Sequence, residues 1–92
     1  MIRRRLRITG KVQGVFYRAW FAEQAESLGL AGWVRNRADG SVEAVVEGAA
    51  ETVEQAIERT RRGSPASRVD DVEVSDDMSD ERLDGFVTRR TL

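Results

Sequence analysis

The chain of 92 residues contains no histidine and no cysteine, and it has only one proline and one lysine. Without histidine, no imidazole is available to act as a general base, to carry a phosphoryl group or to bind a metal ion. Without cysteine, there is no disulfide, no thiolate nucleophile and no thiolate metal site. These two absences restrict the protein to chemistry that needs neither an imidazole nor a thiolate.

Long apolar segments are also missing. No stretch approaches the roughly 18–20 apolar residues that cross a bilayer, and the basic N-terminus is not followed by the apolar region of a secretory signal. A length of 92 residues with 40% apolar composition suits one domain, which we predict to span residues 1–92. We therefore expect a cytoplasmic monomer without a membrane segment.

Charge is balanced overall but is unevenly distributed. The formal net charge is −1, so the chain as a whole is not a polycation, and no nucleic-acid partner is predicted. Residues 70–84 are strongly acidic, and we interpret them as a solvated face and loop. The basic cluster Arg3–Arg5 is interpreted as solvent-facing charge at a strand edge.

Hydrophobic periodicity predicts an alternation of strands and helices. The Asp39-Gly40 pair favours a tight hairpin turn, because glycine accepts the positive φ that such turns need. The predicted strands lie at 2–10, 31–37, 41–47, 69–74 and 86–88, and the predicted helices at 17–28 and 50–62. This order predicts an α+β fold of the ferredoxin-like βαββαβ kind, with two helices on one face of an antiparallel sheet and a short extra C-terminal strand.

The segment from Gly10 to Arg18, Gly-Lys-Val-Gln-Gly-Val-Phe-Tyr-Arg, joins the first strand to the first helix. It brings together a short loop of backbone N–H groups, a helix N-terminus and a guanidinium, which together suit a small phosphate-like dianion. No Lys-Ser/Thr pair follows Gly14, so the segment is not a nucleotide-binding P-loop. Taken alone, the pattern also fits an ordinary turn that carries a surface arginine.

The same segment resembles the acylphosphatase signature G-x-V-Q-G-V-x-F/Y-R. A second stretch, Gly32-Trp-Val-Arg-Asn36, resembles the second motif of that family, G-W/F/Y-V-x-N, and the likeness extends over essentially the whole chain. The resemblance implies hydrolysis of small acyl phosphates, the mixed anhydrides of carboxylic and phosphoric acids, to a carboxylate and inorganic phosphate. It also implies that Arg18 and Asn36 are the catalytic residues.

In the family pattern, the arginine binds the phosphoryl group together with loop amides, and the asparagine orients the attacking water. The substrate-binding residues implied here are Gln13, Gly14, Val15, Phe16, Tyr17 and Arg18. Elementary chemistry agrees, since the leaving carboxylate has a conjugate acid of pKa about 4 and departs without a proton donor. Phosphoryl transfer depends mainly on positioning and charge stabilisation, so no metal or other cofactor is predicted.

The remaining aromatic residues are interpreted as packing residues. Two functions other than acyl phosphate hydrolysis also stay open. Phe16, Trp20, Phe21 and Trp33 are interpreted as core or loop-supporting residues. One alternative is an RNA-binding domain of similar topology, although the predicted strand at 41–47 lacks the aromatic residues of that class. The other alternative is a non-catalytic acylphosphatase-like domain that binds an anion for regulation or assembly.

Overall fold

The computed structural model describes residues 1–92, and its elements follow the predicted order. They are β1 (Ile2–Lys11), α1 (Tyr17–Ser27), β2 (Ala31–Asn36), β3 (Val42–Gly48), α2 (Ala50–Arg62), β4 (Arg68–Asp76) and β5 (Phe86–Thr88). Gly29 has the left-handed φ of 70° that ends α1, and the Leu30 N–H donates to the carbonyl oxygen of Ala25 at 3.0 Å. The predicted α+β order and the second helix are confirmed.

The five strands form one sheet in the order β4-β1-β3-β2-β5. The pairs β1–β3, β1–β4 and β2–β3 are antiparallel, as predicted, whereas β5 pairs with β2 in parallel. This difference follows from the path of residues 77–85. They run along the end of the sheet at which β4 ends and β1 and β2 begin. The N–H of Asp77 donates to the carbonyl of Arg3, and that of Gly32 to the carbonyl of Gly85. The chain therefore enters β5 at the same end as β2.

The core lies between the sheet and the two helices. Its sheet side is apolar because every second residue of each strand points to the same face. The buried residues include Leu6, Ile8, Val34, Val42, Ala44 and Val46 from the sheet, and Tyr17, Phe21, Ala25, Val53 and Ala56 from the helices. Burying one large apolar side chain contributes about 1.5–3 kcal/mol, so this layer holds both helices on the sheet. Neither helix is long and apolar enough to span a bilayer.

The opposite face of the sheet carries charged residues around one aromatic ring. The Trp33 ring is only 5% exposed, and the guanidiniums of Arg35 and Arg89 each lie 4.7 Å from its centre. The expected strand-edge position of Arg3–Arg5 is wrong, because β1 lies inside the sheet between β4 and β3. Arg3 and Arg5 form ion pairs across this face, where the Arg5 side chain stays 41% exposed and the Arg3 side chain only 16%.

Strand direction decides where the functional loop lies. Since β1 and β2 are both antiparallel to β3, and β5 is parallel to β2, these three strands run the same way. Their carboxyl ends therefore meet at one edge of the sheet. That edge collects the loop after β1, the residue Asn36 at the end of β2, and the chain that follows Thr88.

Candidate active site

The loop after β1 has a backbone suited to an anion. Gly14 and Phe16 both adopt left-handed conformations, with φ of 73° and 60°, and Phe16 is the one non-glycine residue of the chain with a positive φ. The left-handed conformation costs an L-residue about 1–2 kcal/mol, whereas glycine adopts it freely. Alternation of left- and right-handed residues turns successive N–H groups toward one point, which is how backbone anion nests form.

The N–H groups of this loop are free to bind a ligand. From Gly14 to Arg18, no backbone N–H donates a hydrogen bond to any group in the protein. Helix α1 begins at Tyr17, and its N-cap residue, Phe16, supplies no side-chain hydrogen bond. The first N–H groups of a helix have no partner within it and carry the positive end of its dipole. Unpaired donors therefore converge where the loop meets the helix.

The side chain of Gln13 attaches the loop to the neighbouring hairpin. Its amide nitrogen donates to the backbone carbonyls of Arg37 and Ser41, both at 2.8 Å. These two residues flank the turn between β2 and β3, and Arg37 directly follows Asn36. The loop and the end of β2 are thus held side by side by two hydrogen bonds that span 24 and 28 residues of sequence.

Arg18 extends from the first turn of α1 toward the end of β5. Its Nη1 donates to the carbonyl oxygen of Arg89 at 3.4 Å, and no carboxylate forms an ion pair with it. The N–H of Arg89 in turn donates to the carbonyl of Val34 at 2.8 Å, two residues before Asn36 along β2. Because a guanidinium has five N–H donors, most of those on Arg18 remain available for an anion.

Asn36 has a buried acceptor that the protein does not satisfy. It pairs with Val42 in the sheet and lies on the helix-bearing face, and its Oδ1 atom is buried without a hydrogen-bond partner. Its backbone is fixed, because the Leu92 N–H donates to its carbonyl oxygen at 3.2 Å. Buried polar atoms in proteins are nearly always hydrogen-bonded. The carboxamide of Asn36 is therefore suited to hold a water molecule or a ligand.

The predicted site residues lie together at this edge, but their side chains differ in surroundings. Val15 packs partly against the core, and the Tyr17 ring is buried with its hydroxyl donating to the carbonyl of Thr60 at 3.2 Å. Burial raises the pKa of Tyr17 well above its usual range, because the phenolate would lose its hydration. The packing interpretation of Phe16 is wrong, because 88% of this residue is exposed.

Two residues of the hairpin support the site and were not predicted to do so. The Ser41 N–H and hydroxyl both donate to Oδ1 of Asp39, at 2.9 and 2.6 Å. These hydrogen bonds, and then the nearby Arg7, lower the pKa of Asp39 to about 2. The turn thereby holds Ser41, whose carbonyl accepts from Gln13. The sequence Asp-Gly-Ser indicated the turn, but it gave no sign of the contact with the loop.

No group of three or more His, Cys, Asp or Glu residues is arranged to hold a metal ion. The acidic side chains near the site are used in ion pairs on the open face of the sheet. Arg5 and Arg37, for example, both pair with Glu43. The chemical groups that the loop, the first turn of α1 and the end of β2 offer to a ligand are therefore N–H donors, the guanidinium of Arg18 and the carboxamide of Asn36.

Comparison with known proteins gives a consistent result. The acylphosphatase family model matches residues 4–88. A protein of Rhizorhabdus wittichii named acylphosphatase is 67% identical over 75 residues, which are 82% of this chain and 76% of that protein. An acylphosphatase of Acidovorax sp. is 48% identical over 91 residues, covering 99% and 93% of the two chains. The crystal structure of acylphosphatase from Bacillus subtilis superposes with a TM-score of 0.91 at 37% identity, over 97% of this chain and 99% of that one.

Proposed function

This chain belongs to the acylphosphatase family, whose members hydrolyse acyl phosphates, and we propose that the loop of residues 13–18 together with Asn36 performs that reaction here. The substrates are small acyl phosphates, and the products are a carboxylate and inorganic phosphate. The observation that carries the assignment of the site is the run of unpaired backbone N–H groups from Gly14 to Arg18.

The phosphoryl group is bound by these N–H groups and by Arg18. Backbone donors at a helix N-terminus stabilise negative charge, and a guanidinium binds two phosphoryl oxygens at once. In a loose phosphoryl-transfer transition state, charge is spread over the equatorial oxygens, so donors already in position stabilise it most. The Gln13 contacts support this role, since they keep the loop from collapsing before substrate binds.

Asn36 positions the attacking water. Its unpaired Oδ1 accepts a hydrogen bond from that water, which points the oxygen lone pair toward phosphorus. The carboxamide itself takes up no proton, and a bound phosphoryl oxygen receives the proton as the water attacks. The P–O bond to the acyl group breaks, and the carboxylate leaves without a general acid because its conjugate acid has a pKa of only about 4. This explains how a chain without histidine performs the reaction.

We also propose that the protein acts as a cytoplasmic monomer on small molecules. Acyl phosphates are charged and cross membranes poorly, so the enzyme meets its substrate in the compartment where that substrate is made. Only six large apolar residues of the chain are exposed, which leaves little apolar surface for a dimer interface and supports a monomer. Trp33 is covered by arginines and is poorly placed to stack on a nucleic-acid base.

Phosphate release from acetyl phosphate and benzoyl phosphate tests the proposal. We expect Arg18→Ala to lower kcat/KM by about 10²–10³-fold, the usual effect of removing one preorganised donor. Asn36→Ala should lower kcat more than it raises KM, because the asparagine contacts water and not the phosphoryl group. Arg59→Ala removes another arginine that hydrogen-bonds within the protein, at Gln24, and should keep full activity.

The outcomes separate the possible failures. Absence of hydrolysis above buffer by the wild-type protein would contradict the function itself. Binding of inorganic phosphate without hydrolysis would favour the anion-binding alternative. If hydrolysis occurs but Arg18→Ala and Asn36→Ala match the Arg59→Ala control, the reaction takes place elsewhere on the protein.

A further inference from the structure

The ring of Phe16 is not packed in the core of the protein. This residue is 88% exposed, whereas the other aromatic residues are buried or half-buried. It lies within the run of free N–H groups and directly before α1. An isolated exposed apolar residue is common on protein surfaces. One that occupies the centre of an anion-binding loop calls for a separate explanation.

The backbone of the loop does not explain the ring. The nest requires a left-handed residue at position 16, with φ of 60°, and glycine would supply that conformation without strain. A phenyl side chain is strained there and gains almost no burial in return. Strained residues of this kind are typically found where they contact a ligand. The side chain of Phe16 therefore serves something other than the fold.

The position of a bound acyl phosphate indicates what the ring contacts. The phosphoryl oxygens face the N–H groups and Arg18, so the acyl group must extend away from the loop toward solvent. Among the apolar side chains of the loop, Val12 is buried and Val15 packs partly against the core. The Phe16 ring is thus the most exposed apolar surface that the loop offers to the acyl group.

We propose that Phe16 is a specificity-determining residue, and that its ring packs against the acyl group so that substrates with a planar aromatic acyl group are preferred. This inference rests on the proposed function. Aromatic rings attract one another in offset or edge-to-face geometry, beyond the area they bury. The methyl group of acetyl phosphate is too small to gain from the same contact.

Hydrolysis of benzoyl phosphate and acetyl phosphate by wild type and by Phe16→Asn tests the inference. Asparagine tolerates the left-handed conformation, so the nest remains while the ring is lost. We expect KM for benzoyl phosphate to rise about three- to tenfold with little change in kcat, the size expected for one aromatic contact. KM for acetyl phosphate, and inhibition by inorganic phosphate, should change less than about twofold by the same reasoning.

Two further variants complete the design. Phe16→Gly should give the same selective loss, because it also keeps the backbone and removes the ring. Met78→Asn removes an equally exposed apolar side chain, 88% exposed, far along the chain, and should leave both substrates unaffected.

Equal loss on both substrates, or weaker inhibition by inorganic phosphate, would show that residue 16 acts on the nest and would overturn the inference while leaving the function intact. No change on either substrate would also overturn it. A wild-type protein that hydrolyses neither substrate would instead refute the proposed function.

Discussion

The side-chain amide of Gln13 donates to the backbone carbonyl of Arg37 at 2.8 Å and thereby joins two segments that each carry part of the site. One segment is the loop with its free N–H groups, and the other is the end of β2 with Asn36. A second hydrogen bond of the same length, to the Ser41 carbonyl, prevents the loop from pivoting about the first. In the proposed mechanism, the geometry between phosphoryl group and water therefore depends on Gln13, whose side-chain amide nitrogen contacts only backbone carbonyls.

Replacing Gln13 tests this connection. We expect Gln13→Ala to lower kcat/KM about tenfold, because small displacements of positioned groups reduce rates strongly. Gln13→Glu should be worse, since its carboxylate cannot donate to two carbonyls and would repel them. Steady-state kinetics with acetyl phosphate measure both effects. Gln55→Ala on the exposed face of α2 is the control, and equal activity of all three variants would contradict a positioning role.

The interpretation of residues 70–84 as wholly solvated is wrong at Asp77. Its side chain is 5% exposed and forms ion pairs with Arg3 at 3.7 Å and Arg5 at 3.2 Å. We expect Asp77→Asn to lower the free energy of unfolding by about 1–2 kcal/mol, less than for a fully buried pair because both arginines keep a glutamate partner. The urea midpoint measures the change. Exposed Asp80→Asn should leave it unaltered, and equal midpoints would refute the assignment.

The single tyrosine offers a measurement of alkaline stability. Because burial raises the pKa of Tyr17 above its ordinary value of 10.0, the hydroxyl of Tyr17 binds its proton more tightly in the folded state than in the unfolded state. The resulting stability is fully present below pH 10.0 and is lost as the pH rises above it. Tyrosinate absorbance should therefore appear together with loss of the circular dichroism signal. Reversible ionisation near pH 10.0 in the folded protein would contradict this.

Asp39 has the opposite dependence on pH. Its pKa is lowered from 3.8 to about 2, chiefly by the hydrogen bonds from Ser41, so its contribution to stability is present above 3.8 and is lost as the pH falls through about 2. Carboxyl-detected NMR titration should find Asp39 ionising well below its ordinary value of 3.8. In Ser41→Ala the hydroxyl donor is lost, and the pKa of Asp39 should return part of the way. An unchanged value would contradict the stated cause.

Much of the fold could be predicted from the sequence because its signals are local. The alternation of Leu6 and Ile8 marks β1, the spacing of Tyr17, Phe21 and Ala25 marks one face of α1, and Gly29 ends that helix. Each signal reflects the geometry of a few neighbouring residues. The parallel pairing of β5 could not be predicted in the same way. It depends on the path by which residues 77–85 lead the chain from β4, on one side of the sheet, to β5 beside β2 on the other.

The candidate site shows the same contrast between what local sequence signals predict and what depends on tertiary packing. Sequence alone determined which residues are candidates, since Arg18, Asn36 and the loop between Gln13 and Arg18 lie in motifs that can be recognised from residue type and spacing. Only the tertiary structure decided their surroundings: Gln13 bonds to carbonyls 24 and 28 residues away, the Oδ1 of Asn36 is buried without a partner, and the Phe16 ring is left exposed. Burial and long-range hydrogen bonds depend on how distant segments pack, and no local pattern records them.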